Sequence, residues 1–324
     1  MSNLTHPHDY FFRHAFTRTE VYRPFFERYL PPPVATRLDL NTLAPDSDTF
    51  IDEDLQAQQS DLLFRLHLKD GQPARLYLLL EHKSYNDPWT PRQLLGYLDR
   101  IWAREAVDPG TPPLPPIIPL VLFHGETAWT AASNFRALVA TPDEFLRFTP
   151  SFDYILCDLT RDQLDNLQHR AWLAITLQVL KFSRSDELSA RLPGILALFR
   201  DLWYQRANAL AFLGTVLRYL ARVASGLDES TVRQALIQAL PTDVGDEIMP
   251  TLAETWMEQG MEKGMEKGQI LHARQTLQKF LIKRFGPLPG AVEARIEQAD
   301  QATLDSWLDQ VMEAPSLGAL FPDI

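Results

Sequence analysis

Apolar residues recur along the chain with two different periods, and the change of period organises it. Over residues 8–30, Phe12, Ala15 and Phe16, then Phe25, Phe26 and Tyr29, lie at helical spacing. Pro24 between the groups predicts a kink or the start of a second helix, and Pro31-Pro32-Pro33 ends the element. Leu38 to Leu43 reads as a first strand. Leu62, Phe64, Leu66 and Leu68 alternate with Asp61, Leu63, Arg65 and His67, the period of a strand with one apolar face. Leu76 to Leu80 is an almost unbroken apolar run, as in a strand covered on both faces. Asp70-Gly71 between them is a hairpin signal, because glycine tolerates positive φ.

Thr90-Pro91 reads as a helix cap followed by a first-position proline, with Leu94, Leu95, Leu98, Ile101 and Trp102 as the buried stripe. Strands are predicted over 117–123 and 154–159. From about residue 161 the spacing is helical throughout. These elements predict an α/β domain over 1–160, a helical appendage over 161–250, and a repeat helix with a small helical domain over 251–324.

The hairpin carries the candidate chemistry. Closed symmetrically about Gly71, it sets Leu68 opposite Ala74 and Asp61 opposite Glu81. Opposed residues of an antiparallel pair share a face, with Cβ atoms about 5 Å apart. Lys83 lies two residues beyond Glu81 and shares that face; His82 points away. Two neighbouring carboxylates repel unless a proton or cation intervenes, and hard oxygen ligands suit Mg²⁺ or Mn²⁺. The same residues also fit plainer roles: Glu81 and Lys83 as a surface ion pair, Asp61 as a cap at the strand entry.

The spacing Asp61, Glu81, Lys83 resembles the active-site pattern of the PD-(D/E)XK nuclease superfamily. The blocks His8-Asp9-Tyr10-Phe11-Phe12-Arg13, Phe50-Ile51-Asp52-Glu53 leading to Ser60-Asp61-Leu62-Leu63, and Leu78-Leu79-Leu80-Glu81-His82-Lys83-Ser84 resemble the Rpn family of recombination-promoting nucleases. The resemblance covers about half the chain, to roughly Thr160. It implies a restriction-endonuclease-like core, a mixed sheet flanked by helices, followed by an all-helical C-terminal half. It implies a metal-dependent DNA endonuclease. Asp61, Glu81 and the His82 backbone carbonyl would hold Mg²⁺ or Mn²⁺, and Lys83 would orient or help deprotonate the water, or neutralise the phosphorane-like state. Gln93 and Tyr97, with Arg100 and Arg104 continuing their side of the helix, resemble a QxxxY element of some superfamily members. Asp9 reads first as a helix cap, with a supporting role near the site as the second reading. Asp158, at the end of a strand, matches an acidic family position. Asp52 and Glu53 are reserve ligand candidates. The rival reading is a non-catalytic DNA-binding or assembly protein on a nuclease fold.

Composition modifies this picture in two places. The net charge of the 324-residue chain is −11, whereas phosphate binding wants cationic surface; the arginines at 13, 18, 23, 28 and 37 supply a local one. The single cysteine, Cys157, excludes an internal disulfide and a cysteine-based zinc site, and fits a reducing cytoplasm. No apolar run reaches the length of a membrane span, and the N-terminus lacks the features of a secretory signal.

Residues 257–268 read MEQG-MEKG-MEKG, with methionines on one ribbon and glycines on another. The stretch reads either as a close-packing helix or as a charged linker. Gly286-Pro287 ends the helix that follows, and two short helices are predicted near 291–298 and 301–312. Residues 275–321 resemble a small helical domain of unknown function found at the C-terminus of such proteins. With one D…ExK set and a C-terminal region devoid of chemistry, the expectation is a homodimer assembled partly through 251–324.

Overall fold

The aromatic-rich start folds as two helices, α1 (Pro7–Phe16) and α2 (Thr19–Tyr29). The chain is described from a computed structural model covering residues 7–46, 61–81, 87–105, 114–167, 169–224 and 226–321. The break between the helices falls at Thr17–Arg18, where Thr17 N–H bonds to Arg13 O and α2 opens with Val21 and Tyr22 N–H on Arg18 O. Of the two readings at Pro24, the start of a second helix does not hold: α2 starts at Thr19, and Pro24 lies inside it. A proline there removes a helical hydrogen bond. Burial of Phe25 and Phe26, the two residues that follow it, offsets that loss, with the Phe26 and Phe64 rings 5.0 Å apart. A single-turn helix, α3 (Pro32–Ala35), leads into the sheet.

Strands β1 (Leu38–Pro45), β2 (Asp61–Leu68), β3 (Pro73–Glu81), β4 (Ile117–Phe123) and β5 (Ile155–Asp158) form one five-stranded sheet in chain order. β1, β2 and β3 pair antiparallel, while β3, β4 and β5 are parallel. Parallel neighbours need a crossover, and helix α4 (Thr90–Glu105) lies in the connection from β3 to β4. The sheet is therefore mixed and flanked by helices, as expected. The stretch around Phe50-Ile51, with Asp52 and Glu53, lies outside the described residues.

The hairpin register differs from the symmetric closure about Gly71. Leu66 pairs with Ala74, and Asp61 pairs with Leu79 rather than Glu81. The cause is the turn. Gly71 N–H bonds to Leu68 O at 2.8 Å, Leu68 N–H bonds to Gln72 O at 2.7 Å, and Gly71 sits at φ +90. This is a three-residue loop with glycine in the left-handed region, which centres the hairpin on Asp70. The shift moves each partner by two residues, an even number, so faces are conserved.

The sheet is covered on both sides at this end. Phe64 packs on Tyr22 and Phe26 of α2. On the other face Leu63, Tyr77, Val121 and Phe123 pack with Leu94, Tyr97 and Ile101 of α4. Leu63 is buried as fully as its neighbours, so β2 is not the one-faced strand its alternation suggests; among its described side chains Arg65 and His67 are the exposed ones.

Helices α5 (Ala171–Phe182), α6 (Leu188–Ala197), α7 (Arg206–Val223) and α8 (Glu229–Ala239) build the helical continuation. α1 packs on α7, with the Phe11 and Tyr219 rings 4.4 Å apart. Arg28 and Tyr29 of α2 bind the Asp162 carboxylate beyond β5.

The chain divides into two compact units, residues 1–252 and 253–324. Helix α9 (Thr242–Phe285) passes through the boundary. The MEQG-MEKG-MEKG stretch is thus helical, not a linker. α9 stops where Gly286 takes φ +86 and its N–H caps Ile282 O. In the second unit α10 (Gly290–Gln298), α11 (Gln301–Gln310) and α12 (Leu317–Leu320) close a small core around Leu277, Leu281, Ile296 and Leu304. No helix among the described residues is long and apolar enough to cross a membrane.

Candidate active site

Two of the candidate residues lie at neighbouring ends of β2 and β3. Asp61 opens β2 opposite Leu79, and Glu81 closes β3 two residues beyond Leu79. Asp61 and Glu81 are therefore diagonal neighbours on one face, with Cβ atoms roughly 7 Å apart by the spacing of an antiparallel pair. This is the face that α4 covers, since Leu63, two residues from Asp61, packs with Leu94 and Tyr97. His82 and Lys83 lie outside the described residues. Among the described side chains no group of three His, Cys, Asp or Glu is placed to hold a metal; Asp61 and Glu81 are placed here by backbone register. Aspartate and glutamate oxygens are the hard ligands that a divalent cation such as Mg²⁺ takes.

Asp158 is drawn to the same sheet row but to another task. Glu81 pairs with Phe123, and Phe123 pairs with Asp158, so Asp158 stands two strands away, about 10 Å across the sheet. Its carboxylate accepts hydrogen bonds from Trp129 N–H at 3.1 Å, Thr160 N–H at 3.0 Å and the Thr160 hydroxyl at 2.7 Å. Arg161 adds an ion pair at 3.7 Å. Asp158 fastens the turn after β5 and the Trp129 loop.

Gln93 and Tyr97 divide. Tyr97 does not lie on a solvated helix face: it is 5% exposed, and its ring packs 5.2 Å from Tyr77 in the core between sheet and α4. Both residues nonetheless line an open groove of about 780 Å³ with Trp89, Arg92, Gly96 and Arg100. Trp89 is 59% exposed there, and the Arg100 guanidinium lies 5.9 Å from the Tyr97 ring. α4 begins at Thr90, whose hydroxyl donates to Asp87 O, while the Asp87 carboxylate accepts from Trp89 N–H. The cap role expected of Thr90 thus falls to the residues just before it.

Asp9 is the third residue of α1, in its first turn and 7% exposed, so it is not the residue that precedes the helix. Its neighbour His8 has a defined role. Arg184 donates to His8 Nε2 at 3.0 Å; a guanidinium can only donate, so Nδ1 carries the proton and donates to the Tyr219 hydroxyl at 2.8 Å. Tyr219 in turn donates to Ser183 Oγ at 3.2 Å. Burial pushes the Tyr219 phenol well above the usual tyrosine range, so it stays protonated and able to donate. The His8 ring also lies 5.4 Å from that of His124, the residue after the Phe123 that pairs with Glu81. The start of α1 is thereby anchored near the carboxyl end of the parallel strands. Beside it, His124, Thr160, Lys181 and Arg184 line a cavity of about 270 Å³. Sequence reasoning singled out His8 but not Arg184, Ser183 or Tyr219. They lie 176 to 211 positions away in sequence for the two direct partners, with no local pattern to mark them.

Comparison with known proteins adds what geometry alone cannot. A family described as "Putative transposase, YhgA-like" matches residues 6–214, more than half of the chain. The recombination-promoting nuclease RpnC of Escherichia coli (strain K12) is 25% identical over 251 residues, 77% of this chain and 80% of that protein. RpnA of the same strain, also named a recombination-promoting nuclease, is 31% identical over 56% of this chain and 62% of its own length. A third relative, named the inactive recombination-promoting nuclease-like protein RpnE, is 27% identical over 61% of this chain and 65% of itself. The matched stretch thus spans less than two thirds of RpnA and of RpnE. No solved structure matches the chain. The match to the family over the α/β core and the first helices beyond it, together with the Rpn relatives, establishes that this chain belongs to the YhgA-like transposase family of recombination-promoting nucleases.

Proposed function

We propose that the chain is a Mg²⁺- or Mn²⁺-dependent DNA endonuclease of the PD-(D/E)XK type, with Asp61, Glu81 and Lys83 as its catalytic set. The observation that supports this reading is the register: Asp61, at the start of β2, pairs with Leu79 of β3, two residues before Glu81 at the end of that strand. The relatives named as recombination-promoting nucleases support it. Asp61, Glu81 and the His82 carbonyl would bind the cation. Bound there, a divalent cation activates water and stabilises charge building on the phosphate. Lys83 orients the attacking water and offsets negative charge at the scissile phosphate. Gln93, with Arg92 and Arg100 in the α4 groove, contacts the DNA backbone, using an amide and two guanidinium forks suited to phosphate oxygens. Cleavage of this kind would promote recombination, in mobile-element transfer or in defence.

Plasmid nicking is the test. Supercoiled DNA should relax with Mg²⁺ and remain intact in EDTA. The second reading, a non-catalytic DNA-binding or assembly protein, is favoured by the relative named inactive. DNA binding by folded protein without nicking in either metal would establish that reading instead.

A further inference from the structure

The helical continuation brings two cations to the carboxyl end of the parallel strands. His124 follows the end of β4, Thr160 lies just past the end of β5, and with Lys181 and Arg184 they line the cavity of about 270 Å³. Ligands of open α/β sheets sit beyond the carboxyl ends of the strands. Phe123, which pairs with Glu81, packs on the α4 side, whereas His124, the next residue, turns to His8 of α1. The cavity beside His124 is therefore on the other face of the sheet from the candidate metal site.

Neither cation is neutralised inside the chain. Arg184 is exposed yet held in place: it donates to Nε2 of buried His8 at 3.0 Å, a neutral acceptor that takes one of its five N–H groups. Lys181 donates to the Asp162 carbonyl oxygen at 2.6 Å, a second neutral acceptor. Among the described residues no carboxylate forms an ion pair with either. The carbonyls at the end of α5 attract cations, but the hydrogen bonds of both residues go to other segments. Two acids line the cavity. Glu187 is paired with Arg191 at 3.2 Å, and Glu126 is exposed. Ser185 Oγ accepts from Glu187 N–H at 3.1 Å, which leaves its own proton to donate.

A fixed guanidinium, an ammonium and a hydroxyl surround a space smaller than most pockets for drug-sized ligands, which start at roughly 300 Å³. A small oxyanion that accepts from all three matches this set, and the guanidinium fork suits phosphate oxygens. We propose that the cavity is a phosphate-binding site formed by Arg184, Lys181 and Ser185. Two sources present this chemistry. One is a backbone phosphate of DNA crossing the end of the sheet, which rests on the nuclease reading. The other is free phosphate or a nucleotide, which does not.

The test uses the full chain in EDTA, so that no divalent cation bridges to phosphate. Calorimetric titration with inorganic phosphate at constant ionic strength should saturate at one site per chain. Arg184→Gln and Lys181→Gln should each weaken binding by about tenfold, one charge-assisted hydrogen bond's worth. Glu126→Gln, which removes an exposed acid, should tighten it. Absence of saturable binding overturns the proposal, as does binding that neither Arg184→Gln nor Lys181→Gln weakens. If those two variants do not fold, unchanged affinity in Glu126→Gln overturns it by itself. A short DNA duplex separates the sources. Displacement of phosphate by the duplex, with weaker duplex binding in Arg184→Gln, assigns the site to DNA. Phosphate and duplex bound together assign it to a free phosphate ligand. The titration is read without metal or cleavage, so the nuclease reading can fail while this one stands.

Discussion

Asp61 of β2 stands opposite Leu79 of β3, one diagonal step from Glu81 on the same sheet face. Asp61→Ala, Glu81→Ala and Lys83→Ala should each lower Mg²⁺-dependent nicking by about 100-fold or more, the scale of losing one group that stabilises charge in the transition state. Thermal unfolding should be nearly unchanged. Gln93→Ala should cost roughly tenfold, one hydrogen bond's worth. Undiminished nicking by all three principal variants would remove the site from this face.

Gly71 determines that relationship from a distance. At φ +90 a side chain at this position strains the turn, although nothing within 4 Å would clash with it. Gly71→Val should destabilise by about 1–2 kcal/mol in urea unfolding, and Gly71→Asn by clearly less, since asparagine tolerates the left-handed region. Equal losses for both would show that steric crowding, not φ, governs the turn.

Asp162 ties α2 to the segment after β5. Arg28 donates to its Oδ1 at 2.7 Å, Tyr29 donates to Oδ2, and Lys181 reaches its backbone carbonyl at 2.6 Å. Hydrogen bonding to Asp162 is the largest cause raising the Arg28 guanidinium further above its ordinary range. Asp162→Ala leaves the partly buried Arg28 and Tyr29 without their shared acceptor and should cost about 2 kcal/mol. A calorimetric loss below about 0.5 kcal/mol would place the pair among the weak surface interactions.

His14 makes stability pH-dependent. Burial, then the charges of Arg18 and Arg218, hold its imidazole below the ordinary value of 6.5. The unfolded chain therefore takes up this proton more readily. The stabilisation from a neutral His14 is complete above 6.5 and declines as pH falls from there through the lower folded value. His14→Gln should lose less stability than the parent between about pH 7.5 and about pH 5.5. Identical losses would assign the acid sensitivity to other groups.

Much of this was written locally. The alternation over 61–68, the apolar run 76–80 and the Asp-Gly pair are short-range signals, and they produced β2, β3 and their turn where expected. Face membership of Asp61 and Glu81 was also local, because side-chain alternation survives any even shift of register. The helical C-terminal half and the glycine stop at 286 follow from period and backbone preference alone. Tertiary structure decided the rest. The exact partner of Asp61 depended on whether the loop closed on Gly71 or Asp70, a choice between two hydrogen-bonded turns of similar composition. Pro24 stayed inside α2 because buried phenylalanines outweighed one missing hydrogen bond. Asp158 became a turn fastener once Trp129 and Thr160 folded onto it. His8 acquired Arg184 and Tyr219 from helices far along the chain. Partners at such separations leave no periodic trace, since a hydrogen bond between distant segments constrains only the residues that make it.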